Sequence, residues 1–125
     1  DGGMIVSGGC HCGAVRVACD VPATVEVLNC NCSICAKTGF LHLIVDYANF
    51  TLESGRDALI SYRFGTGLAE HLFCRICGIK GYYQPRSHSG AWSVNLRCLD
   101  PGHGLDVVTR PFDGRNWESA HTELG

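Results

Sequence analysis

The chain has 125 residues, with 10 Lys and Arg against 12 Asp and Glu, a formal charge of −2 and no clustered basic run, so a nucleic-acid partner is not expected. No apolar run approaches the roughly 18–20 residues of a membrane-spanning helix, and the N-terminus lacks the charged-then-apolar pattern of a signal peptide; no membrane role is expected, and the predicted setting is cytoplasmic. Nine cysteines are an odd number, and Cys-x-Cys pairs are too close to cross-link without strain, so thiols grouped in short clusters point to metal instead of disulfides.

The length suits one domain over residues 1–125, with Asp1-Gly2-Gly3 reading as an appended remnant before a native start at Met4. An extended segment starts at Ile5-Val6 and reaches Gly8-Gly9-Cys10-His11-Cys12-Gly13, whose glycines let the backbone turn until both sulfurs face one ion. Residues 14–19 alternate apolar and polar as a half-buried strand does, and Asp20-Val21-Pro22-Ala23 is the predicted turn. Residues 24–29 alternate again and deliver the chain to Cys30-Asn31-Cys32-Ser33-Ile34-Cys35. A helical turn fits residues 33–37, with Gly39 as its left-handed stop and with backbone N–H groups aimed at the thiolates.

Residues 40–45 suit a central strand, and further strands are predicted over 50–52 and 59–64. Gly65-Thr66-Gly67 joins the last of these to residues 68–73 as a hairpin. The hairpin leads into Cys74-Arg75-Ile76-Cys77-Gly78, which has the spacing of a zinc knuckle. Strands over 82–83 and 91–96, a turn at Leu99-Asp100-Pro101-Gly102, a short strand over 107–109 and a closing segment over 112–118 complete a class that is mainly β.

Cys10 with Cys12 and Cys74 with Cys77 form two bidentate halves, which together close a four-sulfur tetrahedral zinc site with no vacancy, a structural role. Cys30, Cys32 and Cys35 then fill three corners of a second site and leave the fourth for water or substrate, as catalytic zinc does. Spacing alone leaves other partitions open: Cys10 and Cys12 can pair with two thiols near Cys30, and His42 or His71 can close the second site.

The blocks Gly8-Gly9-Cys10-His11-Cys12-Gly13-Ala14-Val15-Arg16, Cys30-Asn31-Cys32-Ser33-Ile34-Cys35-Ala36-Lys37-Thr38-Gly39 and His71-Leu72-Phe73-Cys74-Arg75-Ile76-Cys77-Gly78 resemble the signatures of one family, the glutathione-dependent formaldehyde-activating enzymes, which also includes centromere protein V. The closing segment is similar to the end of many bacterial members, so the resemblance spans residues 7–118. It implies a mainly β, Rab-exchange-factor-like β-tent of antiparallel sheets with zinc-binding knuckles and two zincs per chain. In that resemblance Cys10, Cys12, Cys74 and Cys77 hold the structural ion, and Cys30, Cys32 and Cys35 the catalytic one. The implied activity is that of a carbon–sulfur lyase, the reversible condensation of glutathione with formaldehyde to S-hydroxymethylglutathione.

Three thiolates make a bound zinc a modest Lewis acid, better suited to exchanging soft sulfur ligands than to generating hydroxide. A small thiol such as glutathione would add as fourth ligand beside a carbonyl carbon, with His42, His71 or Lys37 as candidate proton shuttles. The alternative is a non-catalytic binding module with both metals structural; iron–sulfur ligation, which needs four clustered ligands, fits less well. Cys19 and Cys98 read as small core residues, His11 as a spectator, and His88, His103 and His121 as further from the site. Trp92, Trp117, Phe112 and Tyr82 read as core or interface aromatics, and Arg75 and Arg115 as solvated cations with a second possible role in holding a thiol's carboxylates. A homodimer is expected from the commonness of two-fold assemblies.

Overall fold

The structure, a computed structural model, describes residues 3–114, so the expectations for Arg115, Trp117, His121 and the end of the closing segment lie outside the described residues. Three strands, β1 (Gly3–Gly9), β2 (Arg16–Pro22) and β5 (Phe50–Ser54), form an antiparallel sheet in the order β1-β2-β5. The others are β3 (Thr24–Cys30), β4 (Leu41–Asp46), β6 (Leu59–Tyr62), β7 (Glu70–Cys74), β8 (Tyr82–Gln84), β9 (Ala91–Asn95) and β10 (Asp106–Phe112). They form a second sheet in the order β10-β3-β4-β9-β8-β7-β6. The one helix longer than a single 3-10 turn among the described residues is α1 (Ser33–Thr38).

Alternating sequences become sheets with one buried face. In β2 the inward positions are Val17, Cys19 and Val21, and in β3 they are Val25 and Val27; these meet Val6, Leu43, Val45, Tyr82 and Val94 in one core. Register sorts the large sheet into two faces. Leu43, Val94, Tyr82 and Leu72 lie opposite one another across β4, β9, β8 and β7, and this row faces the core. One residue along, Ile44, Ser93, Tyr83, His71 and Tyr62 form a second row across β4, β9, β8, β7 and β6, on the opposite face.

The mainly β class is borne out, with three local differences. The strand at Arg16 runs through Pro22, because pairing with β1 continues to Gly3↔Pro22 and Val21 is buried; only Ala23 is left for the turn. The strand expected to reach residue 96 ends at Asn95 and gives way to a 3-10 turn over Leu96–Cys98, since the Asn95 side chain accepts from the Arg97 N–H at 3.1 Å and bends the chain out of β9; Cys98, read as core, is only half-buried there. The last strand pairs parallel with β3, from Asp106↔Thr24 to Phe112↔Cys30, where antiparallel sheets were expected. That pairing brings the end of β10 to the middle cysteine cluster. Among the described residues no helix is long and apolar enough to cross a membrane.

Candidate functional site

Cys10 and Cys12 follow β1, Cys74 ends β7, and Cys77 lies in the turn after it. Their four sulfurs all lie within 4.8 Å of one another, with Cys10 Sγ to Cys12 Sγ at 3.6 Å and Cys12 Sγ to Cys74 Sγ at 3.7 Å. Turn amides point at them: the Val15 N–H reaches Cys10 Sγ at 3.3 Å and the Ile76 N–H reaches Cys74 Sγ at 3.4 Å. Backbone N–H groups of Cys12 and Ile79 bring the Cys77 thiol down to about 6. This group could hold a metal ion.

The second cluster is built by a strand end and one short helix. Cys30 closes β3, and Cys32 caps α1 by accepting from the Cys35 N–H at 3.4 Å. Gly39 ends the helix with φ at 67° and donates to the Cys35 carbonyl at 3.0 Å, so the predicted left-handed stop is present. The neighbouring β10 fastens the turn: the Asn31 N–H meets the Phe112 carbonyl at 3.2 Å, and its side-chain amide meets Asp113 Oδ1 at 3.0 Å. A Cβ at Gly114 would stand 2.4 Å from Cys30 Sγ, so the chain can pass this close to the sulfur only as glycine.

His42 on β4 completes the cluster. Its Nε2 lies 3.1 Å from Cys35 Sγ, while Nδ1 lies 2.9 Å from Ser93 Oγ and 3.2 Å from the Tyr83 hydroxyl. The ligand atoms of Cys30, Cys35 and His42 lie within 4.8 Å of one another and could hold a metal ion. Hydrogen bonds from Cys30 and Cys35 bring the Cys32 thiol down, whereas the sulfurs of Cys30 and Cys32 push Cys35 upward.

A cavity of about 390 Å³ opens over this cluster, with Cys30, Cys32, Cys35, His42, His71 and Tyr83 in its wall and Phe64, Phe112 and Arg86 at its sides. None of the four sulfurs of the first cluster lines it. Burial, with the Lys80 charge second, lowers His42 and His71 to about 4, so both rings are neutral near pH 7. Lys80 is itself buried and brought down to about 8 by desolvation, against the upward pull of the Cys35, Cys32 and Cys30 thiols.

Of the residues singled out in the sequence, Cys30, Cys32, Cys35, His42 and His71 meet at this cavity. Lys37 is exposed on α1 and does not line it, and Arg75 is exposed on the knuckle beside the other cluster. His11 is exposed, as a spectator between two ligands should be, and Cys19 and Tyr82 are core. Phe112 packs on Cys30 and Cys35 and also borders the cavity, a dual position not foreseen. Lys80, Tyr83, Ser93 and Gly114 escaped the sequence reading. Only Lys80 left a signal, a lone cation in Cys77-Gly78-Ile79-Lys80-Gly81-Tyr82-Tyr83 just after a knuckle.

A two-sheet fold with two thiol groups that could hold metal ions, one of them open to a cavity, defines a cysteine-cluster class of β protein. Over residues 5–113 the sequence matches the family described as glutathione-dependent formaldehyde-activating enzyme, and the chain belongs to that family. The fold is also similar to that of a Rhodobacter sphaeroides protein known from a crystal structure, which is 30% identical with a TM-score of 0.69 over 83% of this chain and 99% of that one.

Proposed function

We propose that the protein is a zinc-dependent carbon–sulfur lyase, adding the thiol of glutathione reversibly to formaldehyde to give S-hydroxymethylglutathione. The observation that carries this reading is the asymmetry of the two clusters: the Cys30 turn opens onto a cavity of about 390 Å³, the size of a small-ligand pocket, and the four-sulfur cluster does not.

The donors suit zinc. A tetrahedron with Zn–S bonds of about 2.3 Å has sulfur–sulfur edges of about 3.8 Å. The 3.6 and 3.7 Å separations in the first cluster are close to that edge, which supports a closed structural ion on Cys10, Cys12, Cys74 and Cys77. Cys30, Cys32 and Cys35 would hold the second ion with soft donors. Bound there, zinc supplies Lewis acidity toward a thiol or a carbonyl oxygen.

The protein's own groups do the rest. Leu28, Ile34, Ile44 and Phe64 make an apolar wall that limits water around the reacting sulfur. His42 is held by Ser93 and Tyr83 with Nε2 beside the thiols, and as a neutral imidazole it can take the proton that a substrate thiol gives up. Arg86 lines the cavity and carries a charge suited to a carboxylate of the tripeptide, a part for which Arg75 is badly placed.

One observation favours a second reading, a binding module with both metals structural: His42 Nε2 lies within 4.8 Å of the Cys30 and Cys35 sulfurs, close enough to be a ligand beside them. A shared tetrahedral zinc would set that nitrogen about 3.6 Å from each sulfur, longer than the 3.1 Å to Cys35 Sγ. Exchange NMR with glutathione and formaldehyde tests the reading. The expected result is a faster interconversion with zinc-loaded protein at two zincs per chain; a rate equal to the uncatalysed one removes it.

A further inference from the structure

Two buried groups beside the cavity have no part in the mechanism above. Lys80, 8% exposed, places Nζ 2.5 Å from His71 Nδ1 and over the rings of Tyr83 at 4.0 Å and Phe40 at 5.0 Å. An ammonium carries hydrogens and no lone pair, so the nitrogen it faces must accept. A neutral imidazole has a single N–H; with Nδ1 accepting from Lys80, the proton of His71 sits on Nε2. The ring cannot easily turn away, because it is stacked between Tyr83 at 4.7 Å and 12° and Phe64 at 5.5 Å and 22°.

His71 is 4% exposed, and its Nε2 has no hydrogen-bond partner among the described residues. Leaving such a donor unpaired is costly, and buried polar groups in proteins are nearly always matched. The same side chain lines the cavity onto which Cys30, Cys32 and Cys35 open. A donor fixed in tautomer and direction, unmatched within the protein, in the wall of that cavity is fitted to an acceptor that arrives with the substrate.

We propose that His71 Nε2–H donates to the aldehyde oxygen as the carbon–sulfur bond forms, and that Lys80 is the positioning residue that fixes its tautomer. This rests on the lyase reading above. In the step the sulfur pair forms the C–S bond, the carbonyl π pair moves onto oxygen, and the proton lost by the thiol ends on that oxygen. His71 gives no net proton; it stabilises the charge that develops there. The electrophile at this end of the cavity is therefore a small carbonyl compound whose oxygen can lie against His71.

The test pairs nitrogen-15 NMR of His71 in the zinc-loaded protein with kinetics of His71→Phe, His71→Gln and Lys80→Met. His71 is expected to show a protonated Nε2 and an accepting Nδ1, and that signature is expected to weaken in Lys80→Met. His71→Phe keeps the stack and loses the donor, and kcat is expected to fall by about 10²–10³ at unchanged zinc content; His71→Gln, which returns an N–H, is expected to recover at least about tenfold of that loss. A proton on Nδ1 in the wild-type protein overturns the proposal, even where the variants do not fold. So does a His71→Phe protein with wild-type kcat, or one in which only the KM for the thiol rises, the result expected of a carboxylate contact. A wild-type protein that does not accelerate the reaction would instead remove the lyase reading itself, and this inference with it.

Discussion

The cluster at Cys10, Cys12, Cys74 and Cys77 and the cluster at Cys30, Cys32 and Cys35 differ in how the chain supplies their sulfurs. The first draws two pairs from segments 62 residues apart, Cys12 to Cys74, so its donors converge from two sides and can enclose an ion. The second draws all three sulfurs from six consecutive residues, and a single turn cannot wrap an ion. With an ion on that turn, the remaining direction would be left to whatever faces it, here His42 and the cavity. On the proposed reading the same ligand atom would make a clamp in one place and an open platform in the other. The long closure of the first cluster also ties β1 to β7, between two sheets, while the second ties β3 only to its own helix and to β10.

The sharpest way to break this comparison is Cys74→Ser. Cys74 is fully buried, and a structural zinc site contributes an apparent binding free energy of order 10 kcal/mol, comparable with the whole net stability of a domain. The variant is expected to be unfolded at 25 °C, or to melt tens of degrees lower, by circular dichroism. A variant with the wild-type melting curve and two zincs per chain would make the closed cluster dispensable and erase the distinction.

Cys32→Ser is the counterpart at the open cluster. Cys32 is half-buried and caps a helix of six residues, and a serine hydroxyl can accept the same Cys35 N–H. The fold is therefore expected to persist with a melting temperature within about 5 °C of wild type. Zinc is expected to fall toward one per chain, and kcat/KM by at least about 100-fold. Unfolding of this variant would instead favour the binding module.

What the sequence made legible follows from which interactions are local. Cys-x-x-Cys followed by a glycine, Cys-x-Cys between glycines, and a helical turn from Ser33 stopped at Gly39 are fixed by a few neighbouring residues, and each is present in the structure. Strand identity was legible for the same reason, since alternation is a property of five or six residues. The parallel pairing of β10 with β3 was not, because nothing local tells residue 106 that it will lie beside residue 24. The second row of the large sheet was hidden likewise. His71, Tyr83, Ser93 and Ile44 are scattered over nearly 50 residues, and only register places them on one face with His42. Gly114 is the extreme case, a residue whose necessity is set by the sulfur of Cys30 more than 80 positions away.

That second row gives the comparison a pH dependence. His71 faces Lys80 and Tyr83 and feels the charge of Cys32; burial holds its pKa at about 4, against an ordinary 6.5. Between those values the unfolded chain binds a proton that the folded chain refuses, so stability falls as pH drops through the window, by about 3 kcal/mol if it is crossed in full. Metal loss in acid affects wild type and His71→Phe alike, so the difference between them isolates the ring. Denaturant titrations at pH 7 and pH 4.5 are expected to show that difference moving in favour of the variant by about 2 kcal/mol. A difference that does not change with pH would mean that the ring is hydrated, and the dry face of the sheet would lose its distinction from the open side of the cluster.

The smallest effect is expected at Lys37, and it sharpens the boundary of the platform. Lys37 is two residues from Cys35 in the chain and was a candidate proton shuttle on that ground, yet it projects from the outer side of α1 and takes no part in the cavity wall. A helix puts successive side chains about 100° apart, so two steps from an inward Cys35 place a residue on the far face. Lys37→Ala is therefore expected to change kcat and KM by less than about twofold, the range of an ordinary surface substitution. A tenfold loss of kcat would mean that protons leave the thiols through the helix and not through His42, and the open side of the cluster would then face the opposite way from the cavity.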